Sequence, residues 1–226
     1  MQISIRAYFV LGLALVGLLV LTPGCGSSGN ANIRFVNVTP DESSLDFLIN
    51  GASVATGVSY GTTSGYKSVS PGSQHLQVEA TGTATPIIDT TTTANSGVFL
   101  SLFSLNFSFA ISNVILTDDN SAPSSGDFKL RIVNASPGLG PQDVYIQPAG
   151  TDISSVAPTV PSLGFGAASG YSSLTAGNYE VFFTPPGQKF VNVDSGPIAF
   201  SAGQIRTGLA LDTQQTFGWV MLSDLN

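Results

Sequence analysis

Cysteine, histidine and charge are all scarce in this sequence. Cys25 is the only cysteine, so no disulfide bond can form within the chain. His75 is the only histidine, and the usual ligand set of a zinc site cannot be assembled around one imidazole. Charged residues make up 9% of the chain, against about a quarter in typical soluble domains. We therefore expect no bound metal and no cofactor.

Basic residues in particular are few and dispersed. Lys and Arg number 7 against 14 Asp and Glu, which gives a net charge of −7. Only Lys129 and Arg131 lie close together in the sequence. Because a phosphate backbone is bound by clustered Lys and Arg, nucleic acid is not expected as a partner. The acidity is typical of a protein that is kept soluble by its charge.

An apolar run near the start of the chain predicts export. Residues 7–21 are apolar, follow a short basic start and precede Gly24 and Cys25. The run suits a signal peptide and is short for a membrane-spanning helix, which needs about 20 residues. Gly24 before Cys25 resembles the bacterial lipobox, in which the cysteine is lipidated and becomes the first mature residue. We predict a lipoprotein signal peptide over residues 1–24 and a flexible tether over residues 25–31.

Lipidation of Cys25 is favoured over an ordinary signal peptide with an incidental cysteine. Each buried methylene contributes about 0.8 kcal/mol, so a diacylated Cys25 would hold the protein at a membrane. Gly26 stands where the lipobox pattern uses an aspartate to retain lipoproteins in an inner membrane. The expected localisation is therefore the cell envelope, with a lipid anchor in the outer membrane or at the cell surface.

Two stretches of the chain each occur twice. Residues 34–40, RFVNVTP, recur as residues 131–137, RIVNASP. Residues 64–72, SGYKSVSPG, recur as residues 169–177, SGYSSLTAG. Self-similarity over this length indicates a duplicated unit. The predicted division is a first repeat over residues 32–117, a linker over residues 118–128 and a second repeat over residues 129–226.

Strand and turn signals fill both repeats, and no stretch after the signal peptide has a helical period. Asn50-Gly51 is a strong hairpin signal. Residues 98–116 are apolar overall, but they alternate polar and apolar side chains, which predicts a strand pair and not a membrane helix. Seven or eight short strands per repeat favour a β-sandwich. The expected fold is all-β, with two tandem sandwich domains.

The repeated motifs resemble those of the domain-of-unknown-function family numbered 4397. The resemblance rests on the two copies of Arg-x-Val-x-x-Ser/Thr-Pro, on DFLI at residues 46–49 and DVYI at residues 143–146, and on the two Gly-Tyr motifs. It covers nearly all of residues 32–226 as two copies. It implies immunoglobulin-like or transthyretin-like modules on exported bacterial proteins, many of them lipoproteins, and it implies no established activity.

No catalytic constellation emerges from the sequence. Residues 57–61 fit G-x-S-x-G around Ser59, but a nucleophile elbow needs a strand-to-helix turn and a suitably placed histidine. His75 is predicted to be a lone surface side chain. Asp118, Asp119 and nearby oxygens could face a calcium ion, but their spacing misses the EF-hand pattern, and an exposed linker is favoured. The protein is not expected to be an enzyme.

Two acid–base pairs are duplicated. Arg34 and Asp46 are equidistant from Pro40, and Arg131 and Asp143 are placed in the same way in the second copy. If the first two strands of each repeat form a hairpin, each arginine faces its aspartate. We predict that both pairs approach within about 4 Å as charge-assisted hydrogen bonds that lock the strand register. A ligand site is the alternative.

Aromatic residues supply the remaining candidates. Tyr66 and Tyr171 recur after Ser-Gly, and each is predicted to be a buried corner tyrosine whose hydroxyl bonds nearby backbone, with sugar stacking as the alternative. An adhesin or polysaccharide-binding protein should expose an aromatic or apolar patch, for which Trp219, Phe217 and Tyr179 are candidates. Packing in the core is the equal alternative for each of these three residues.

The overall prediction is a lipid-anchored cell-envelope protein of unknown specific role that serves as a non-catalytic binding or structural module. An adhesin or polysaccharide-binding protein is the alternative, and an envelope hydrolase is less favoured. The expected partners are a membrane through Cys25 and a polysaccharide or an envelope protein. The sequence leaves open the ligand, the oligomeric state and whether the two repeats pack rigidly.

Overall fold

The computed structural model describes residues 29–213 and 216–225, which form an all-β structure. Two short 3-10 helices, Ser108–Ala110 and Ile153–Ser155, interrupt the strands. The predicted signal peptide, Cys25 and most of the tether lie outside the described residues. Among the residues that are described, no helix is long and apolar enough to cross a membrane.

Eighteen strands, β1 to β18, follow one another in the described part of the chain. The first nine are β1 (Ala31–Asn37), β2 (Ser44–Ile49), β3 (Ala52–Ser59), β4 (Thr62–Thr63), β5 (Lys67–Val69), β6 (Gly72–Ala80), β7 (Pro86–Ala94), β8 (Phe99–Leu105) and β9 (Ser112–Asp118). The other nine are β10 (Asp127–Asn134), β11 (Gln142–Pro148), β12 (Val160–Leu163), β13 (Ser172–Thr175), β14 (Gly177–Thr184), β15 (Val193–Asp194), β16 (Ile198–Phe200), β17 (Ile205–Asp212) and β18 (Phe217–Leu225).

These strands form four sheets. The first inner sheet has the order β4-β1-β8-β9, with β5 also paired to β1, and the first outer sheet has the order β3-β2-β6-β7. The second inner sheet is β13-β10-β17-β18, and the second outer sheet is β12-β11-β14-β15, with β16 paired to β14. In each inner sheet, the first strand of the repeat runs parallel to a strand near the end of that repeat. These parallel pairs are β1 with β8 and β10 with β17. The strand topology therefore repeats along with the sequence motifs.

Three apolar clusters hold the sheets in four layers. One cluster lies between the first inner and outer sheets, and a second lies between the second inner and outer sheets. The third, here called the junction cluster, lies between the two inner sheets, on the face of each that points away from its own outer sheet. Its buried members are Val36, Val38, Phe103, Leu105, Val133, Ala135, Leu209, Leu211 and Leu222. The inner sheets are therefore covered on both faces.

This double coverage explains the burial of the repeated motif. Strand β1 is buried at six of its seven residues and does not alternate between buried and exposed positions. Strand β10 has the same nearly continuous burial. A sheet with one wet face would alternate buried and exposed residues, whereas a strand covered on both faces is buried along its length.

Two strand predictions are confirmed by the backbone. Asn50 and Gly51 connect β2 to β3 with positive φ angles of 53° and 78°, as a tight type I′ hairpin turn requires. Residues 98–116 contain β8 and most of its antiparallel partner β9.

The predicted β1–β2 hairpin is wrong, because the chain leaves the inner sheet after Asn37 and enters the outer sheet at β2. The Asn37 side-chain amide donates to the carbonyls of Glu42 and Val58, and its oxygen accepts from the Thr39 amide. Asn134 makes the matching bonds in the second copy. The repeated asparagine therefore fixes the corner at which the chain changes sheets, as expected of a turn residue.

Candidate functional site

The two repeated arginines bind aspartates at the far ends of each other's repeats. Arg34 Nη2 lies 2.6 Å from Asp224 Oδ1, and Arg34 Nη1 donates to the Ser223 carbonyl at 3.1 Å. In the reciprocal contact, Arg131 Nη2 lies 2.6 Å from Asp118 Oδ1, and Arg131 Nη1 donates to the Thr117 carbonyl at 3.3 Å. Each repeat therefore supplies one cation and one anion to the other.

Two hydroxyls close these contacts into a ring. Ser101 Oγ accepts from Arg34 Nε at 2.7 Å and donates to Asp118 at 2.6 Å. Thr207 Oγ1 accepts from Arg131 and donates to Asp224 at 2.7 Å. We call this closed circuit the junction ring. Its members are Arg34, Ser101, Asp118, Arg131, Thr207 and Asp224.

The recurring tyrosines cap the junction ring. The hydroxyl of Tyr66 donates to Asp118 and that of Tyr171 to Asp224, both at 2.7 Å. The tyrosine rings also cover the guanidinium groups: Arg34 Cζ lies 4.8 Å from the centre of Tyr66, and Arg131 Cζ lies 4.8 Å from the centre of Tyr171. The prediction that these hydroxyls bond nearby backbone is wrong, because their acceptors are buried carboxylates.

Burial and charge act together on these groups. Burial is the largest single influence on Arg34 and lowers its pKa, but Asp224, Tyr66 and Asp118 together outweigh it and leave the pKa raised. Burial is also the main cause that raises the pKa values of Tyr66 and Tyr171. Both tyrosines therefore remain neutral donors at ordinary pH. The charged and polar groups of the junction ring therefore bind one another.

The predicted Arg34–Asp46 and Arg131–Asp143 pairs are wrong. Asp46 lies in the outer sheet and accepts from the Gly57 amide and the Thr81 hydroxyl. Asp143 accepts from the amides of Ser162 and Gly187. These aspartates bind groups within their own repeats. They do not meet the arginines because β1 and β2, like β10 and β11, belong to different sheets.

The repetition of residues along the sequence could have identified the correct partners of the two arginines. Asp118 recurs as Asp224, just as each arginine and each tyrosine recurs. Asp118 is the buried last residue of β9, so the predicted exposed linker does not begin there. Asp127 and Phe128 likewise belong to β10, which leaves residues 119–126 between the strands.

The remaining sequence candidates lie apart from the junction ring and from one another. Ser59 ends β3 opposite the start of β2, whereas His75 lies beside the other end of β2, so the two do not meet. His75 Nε2 is 2.7 Å from Asp89 Oδ1 at the surface. Among the described residues, no group of three or more His, Cys, Asp or Glu side chains could hold a metal ion.

The three candidate aromatic residues do not form an exposed patch. Trp219, Phe217 and Tyr179 are partly buried and pack against the core of the second repeat. Trp219 also contacts Phe183, with ring centres 6.0 Å apart. The most exposed rings in the described part of the chain are instead Phe109, at 84%, and Phe190, at 70%.

A cleft of about 740 Å³ opens where the repeats meet. Its lining consists of Pro40, Asp41, Ser43, Tyr60, Phe107, Asp212 and Thr213. Tyr60 crosses the junction and donates its hydroxyl to the Asp212 carbonyl at 2.7 Å. The volume is that of a small-molecule site, and the mixture of aromatic, carboxylate and hydroxyl groups suits a ligand with both apolar and hydrogen-bonding faces. We call it the junction cleft.

Hydrogen bonds fix the walls of the junction cleft. Asp41 accepts from the Ser108 amide at 2.8 Å and from the Ser108 hydroxyl at 2.7 Å. Slight burial acts to raise the pKa of Asp41, but the hydrogen bonds to its carboxylate leave that pKa lowered. Asp212 accepts from the Ser136 hydroxyl and from the Gly138 amide. These bonds tie loops from both repeats to the rim of the cleft.

A family model described as "Domain of unknown function (DUF4397)" matches residues 31–145. No curated protein matches the chain.

Among solved structures the likenesses are distant. The Bacillus anthracis TIE protein is 12% identical with a TM-score of 0.28; the match covers 82% of this chain but only 34% of that one, so this chain spans about a third of its length. A structure of family 41 carbohydrate-binding modules from streptococcal virulence factors is 10% identical with a TM-score of 0.26, and the match covers 84% of this chain and 96% of that one. At these scores neither likeness carries an argument about this chain.

Proposed function

This chain belongs to the DUF4397 family of domains of unknown function, and we propose that it is a lipid-anchored cell-envelope protein that acts as a non-catalytic binding or structural module. We further propose that it consists of two tandem β-sandwich domains that act as one rigid body, the first ending with β9 at Asp118 and the second beginning with β10 at Asp127. The observation that carries the rigid two-domain module is the reciprocal binding of Arg34 to Asp224 and of Arg131 to Asp118. The lipid anchor is proposed from Gly24, Cys25 and the apolar run before them.

The exchange supports a structural role because it is buried and complete. Removing one partner of a buried ion pair leaves an uncompensated charge, so two such pairs resist relative movement of the repeats. The junction cluster adds an apolar contact over the same interface. A module held in this way can carry a load or present a surface without bending at the linker.

The same chemistry supports a non-catalytic role. Active sites usually keep perturbed titratable groups in an open cleft, where they can reach a substrate. Here the buried arginines and aspartates, with the tyrosines that cap them, bind one another inside the junction. A structural or binding module is therefore favoured over an envelope hydrolase.

Metabolic labelling of the full chain with palmitate, followed by fractionation, tests the proposal. Label in the wild type, its loss in Cys25→Ala and recovery of the wild type with envelope membranes are the expected results. Because Cys25 is the only cysteine, no second thiol can carry the label. An unlabelled wild type, or a labelled Cys25→Ala, would overturn the lipid anchor. Turnover of a hydrolase substrate by the purified protein would overturn the non-catalytic role.

A further inference from the structure

We infer that the junction cleft binds a glycan without acidic groups and that it faces away from the membrane anchor. The inference rests on the proposed function, because it takes the anchor to lie just before residue 29. It names the ligand class that a binding module of this geometry would accept.

The direction of the inner strands places the cleft opposite the anchor. Strand β1 begins at Ala31, close to the predicted tether, and ends at Asn37, beside the lining residue Pro40. The Gly61 amide bonds the Asn37 carbonyl, and Gly61 lies against Leu211 near the end of β17. The leading strands of both repeats therefore end on the same side, and the cleft opens there.

Exposed aromatic rings gather at this distal end. Phe109 lies in the loop between β8 and β9, beyond the end of β8, and is 84% exposed. Its ring stacks on the lining residue Phe107, with centres 5.7 Å apart and an angle of 9° between the planes. Phe165 is also exposed, and its neighbour Gly166 bonds the carbonyl of Asn134 at the end of β10. The stacked pair of Phe107 and Phe109 therefore places an exposed aromatic surface beside the cleft.

The lining selects the chemistry of the ligand. Tyr60, Phe107 and Pro40 offer flat apolar surfaces, and a sugar ring presents C–H groups that can stack on such surfaces. Asp41 and Asp212 have carboxylate oxygens with acceptor capacity left for sugar hydroxyls. The lining residues include no Lys or Arg, so an anionic polymer would meet two carboxylates without a cation. Charge complementarity therefore favours a neutral or amino-substituted glycan.

The location separates a glycan from a lipid surface. Rings that insert into the anchoring membrane would have to lie near residues 29–31, whereas Phe109 lies beyond the opposite end of the strands. The ring pair is also held in place, because Asp41 binds the backbone and the hydroxyl of Ser108 between the two phenylalanines. A wall ordered before binding loses less entropy when a ligand stacks on it.

The test is calorimetric titration of the detergent-solubilised full chain with chitohexaose, cellohexaose, maltohexaose and oligogalacturonate. We expect at least one neutral hexasaccharide to bind and oligogalacturonate not to bind. Phe109→Ala, which removes the ring stacked on the lining residue Phe107, should weaken that binding at least tenfold. Phe190→Ala, which removes an exposed ring in the loop between β14 and β15, should leave it unchanged. Both rings are exposed, so neither variant should unfold the protein.

Several outcomes would overturn the inference. These are failure of all three neutral sugars to bind, preference for oligogalacturonate, or equal binding by wild type and Phe109→Ala. Phe109-dependent binding of the Cys25→Ala chain to phospholipid vesicles would assign the surface to a membrane, and Phe109-dependent dimerisation would assign it to a second copy. Palmitate labelling is scored separately, so a labelled protein that binds no sugar refutes the glycan site and leaves the proposed envelope anchor intact.

Discussion

At the scale of single residues, the buried arginines decide how the repeats are joined. A guanidinium removed from water costs several kcal/mol unless its hydrogen bonds and charge are matched. Arg34 and Arg131 meet this requirement with a carboxylate, a hydroxyl and a backbone carbonyl each. The planar guanidinium suits these several acceptors in a way that a lysine ammonium would not.

The partner of Arg34 can be identified by double-mutant cycles. Arg34→Met leaves Asp224 buried without its cation and should lower the free energy of unfolding by roughly 3–5 kcal/mol. Arg34→Met and Asp224→Asn should show a coupling energy of about 1–3 kcal/mol in urea denaturation. Arg34→Met and Asp46→Asn serve as the control and should be additive within about 0.5 kcal/mol. A larger coupling with Asp46 than with Asp224 would contradict the junction ring.

Gly208 is a second residue whose identity follows from packing. It lies in β17, and a Cβ at this position would fall 1.9 Å from Cη2 of Trp219. Gly208→Ala should therefore displace the indole and destabilise the protein by about 1–3 kcal/mol. Fluorescence of the only tryptophan should report the displacement.

Gly164→Ala is the matched control for Gly208. Among the described residues, and leaving aside its two chain neighbours, no atom lies within 4 Å of a Cβ built on Gly164. This change should therefore alter the free energy of unfolding by no more than about 0.5 kcal/mol. Similar losses in the two variants would show that Trp219 does not require the glycine.

At the scale of elements, the connection between the repeats is tied to the strand that follows it. Lys129 Nζ in β10 lies 2.7 Å from Asp119 Oδ2. Asp119 also accepts from the Ser121 amide and hydroxyl. The segment between β9 and β10 is therefore held against the second inner sheet and is not a free linker.

This contact predicts a pH dependence. The hydrogen bond from Lys129 is the main cause that lowers the pKa of Asp119 from its usual 3.8 to about 2. A carboxyl with a lowered folded pKa stabilises the protein above its unfolded pKa, and this stabilisation is lost as the pH falls from about 4 to about 2. The carboxylate is 55% exposed, so the contribution should be below about 1 kcal/mol.

NMR titration of the Asp119 carboxyl in Lys129→Met should find its pKa raised toward 3.8, with Lys67→Met as a control that leaves it unchanged. An Asp119 pKa that is equally low in Lys129→Met would exclude Lys129 as the main cause.

At the scale of the whole molecule, four layers share three apolar clusters, and the middle cluster belongs to both repeats. Because the inner sheets are covered on both faces, unfolding one repeat would expose an apolar face of the other. The two repeats should therefore unfold together.

A substitution in the first repeat can test this coupling from the second. Leu76 is buried in the first core, and Leu76→Ala should cost about 2–5 kcal/mol. Trp219 lies in the second repeat, yet its fluorescence midpoint in urea should shift by the same amount as the circular dichroism midpoint. An unchanged Trp219 midpoint would mean that the repeats unfold independently.

Much of the architecture was predictable from local sequence. Residues that turn the chain and the spacing of apolar side chains depend on near neighbours, so Asn50-Gly51 and the β8–β9 pair could be recognised without a fold. The duplication of Arg34, Tyr66 and Asp118 also marked these residues as a set before any contact was known. The sequence alone thus predicts an all-β chain in which the turns repeat.

Only the tertiary structure decided which residues of that set meet. The symmetric spacing of Arg34 and Asp46 suggested a local pair. The chain instead changes sheets at Asn37, and Arg34 binds Asp224, which lies 190 residues further along the chain. The same stacking of inner sheets buried both faces of β1 and formed the junction cleft. Contacts between distant segments depend on how whole layers pack, and no local pattern of side chains encodes that choice.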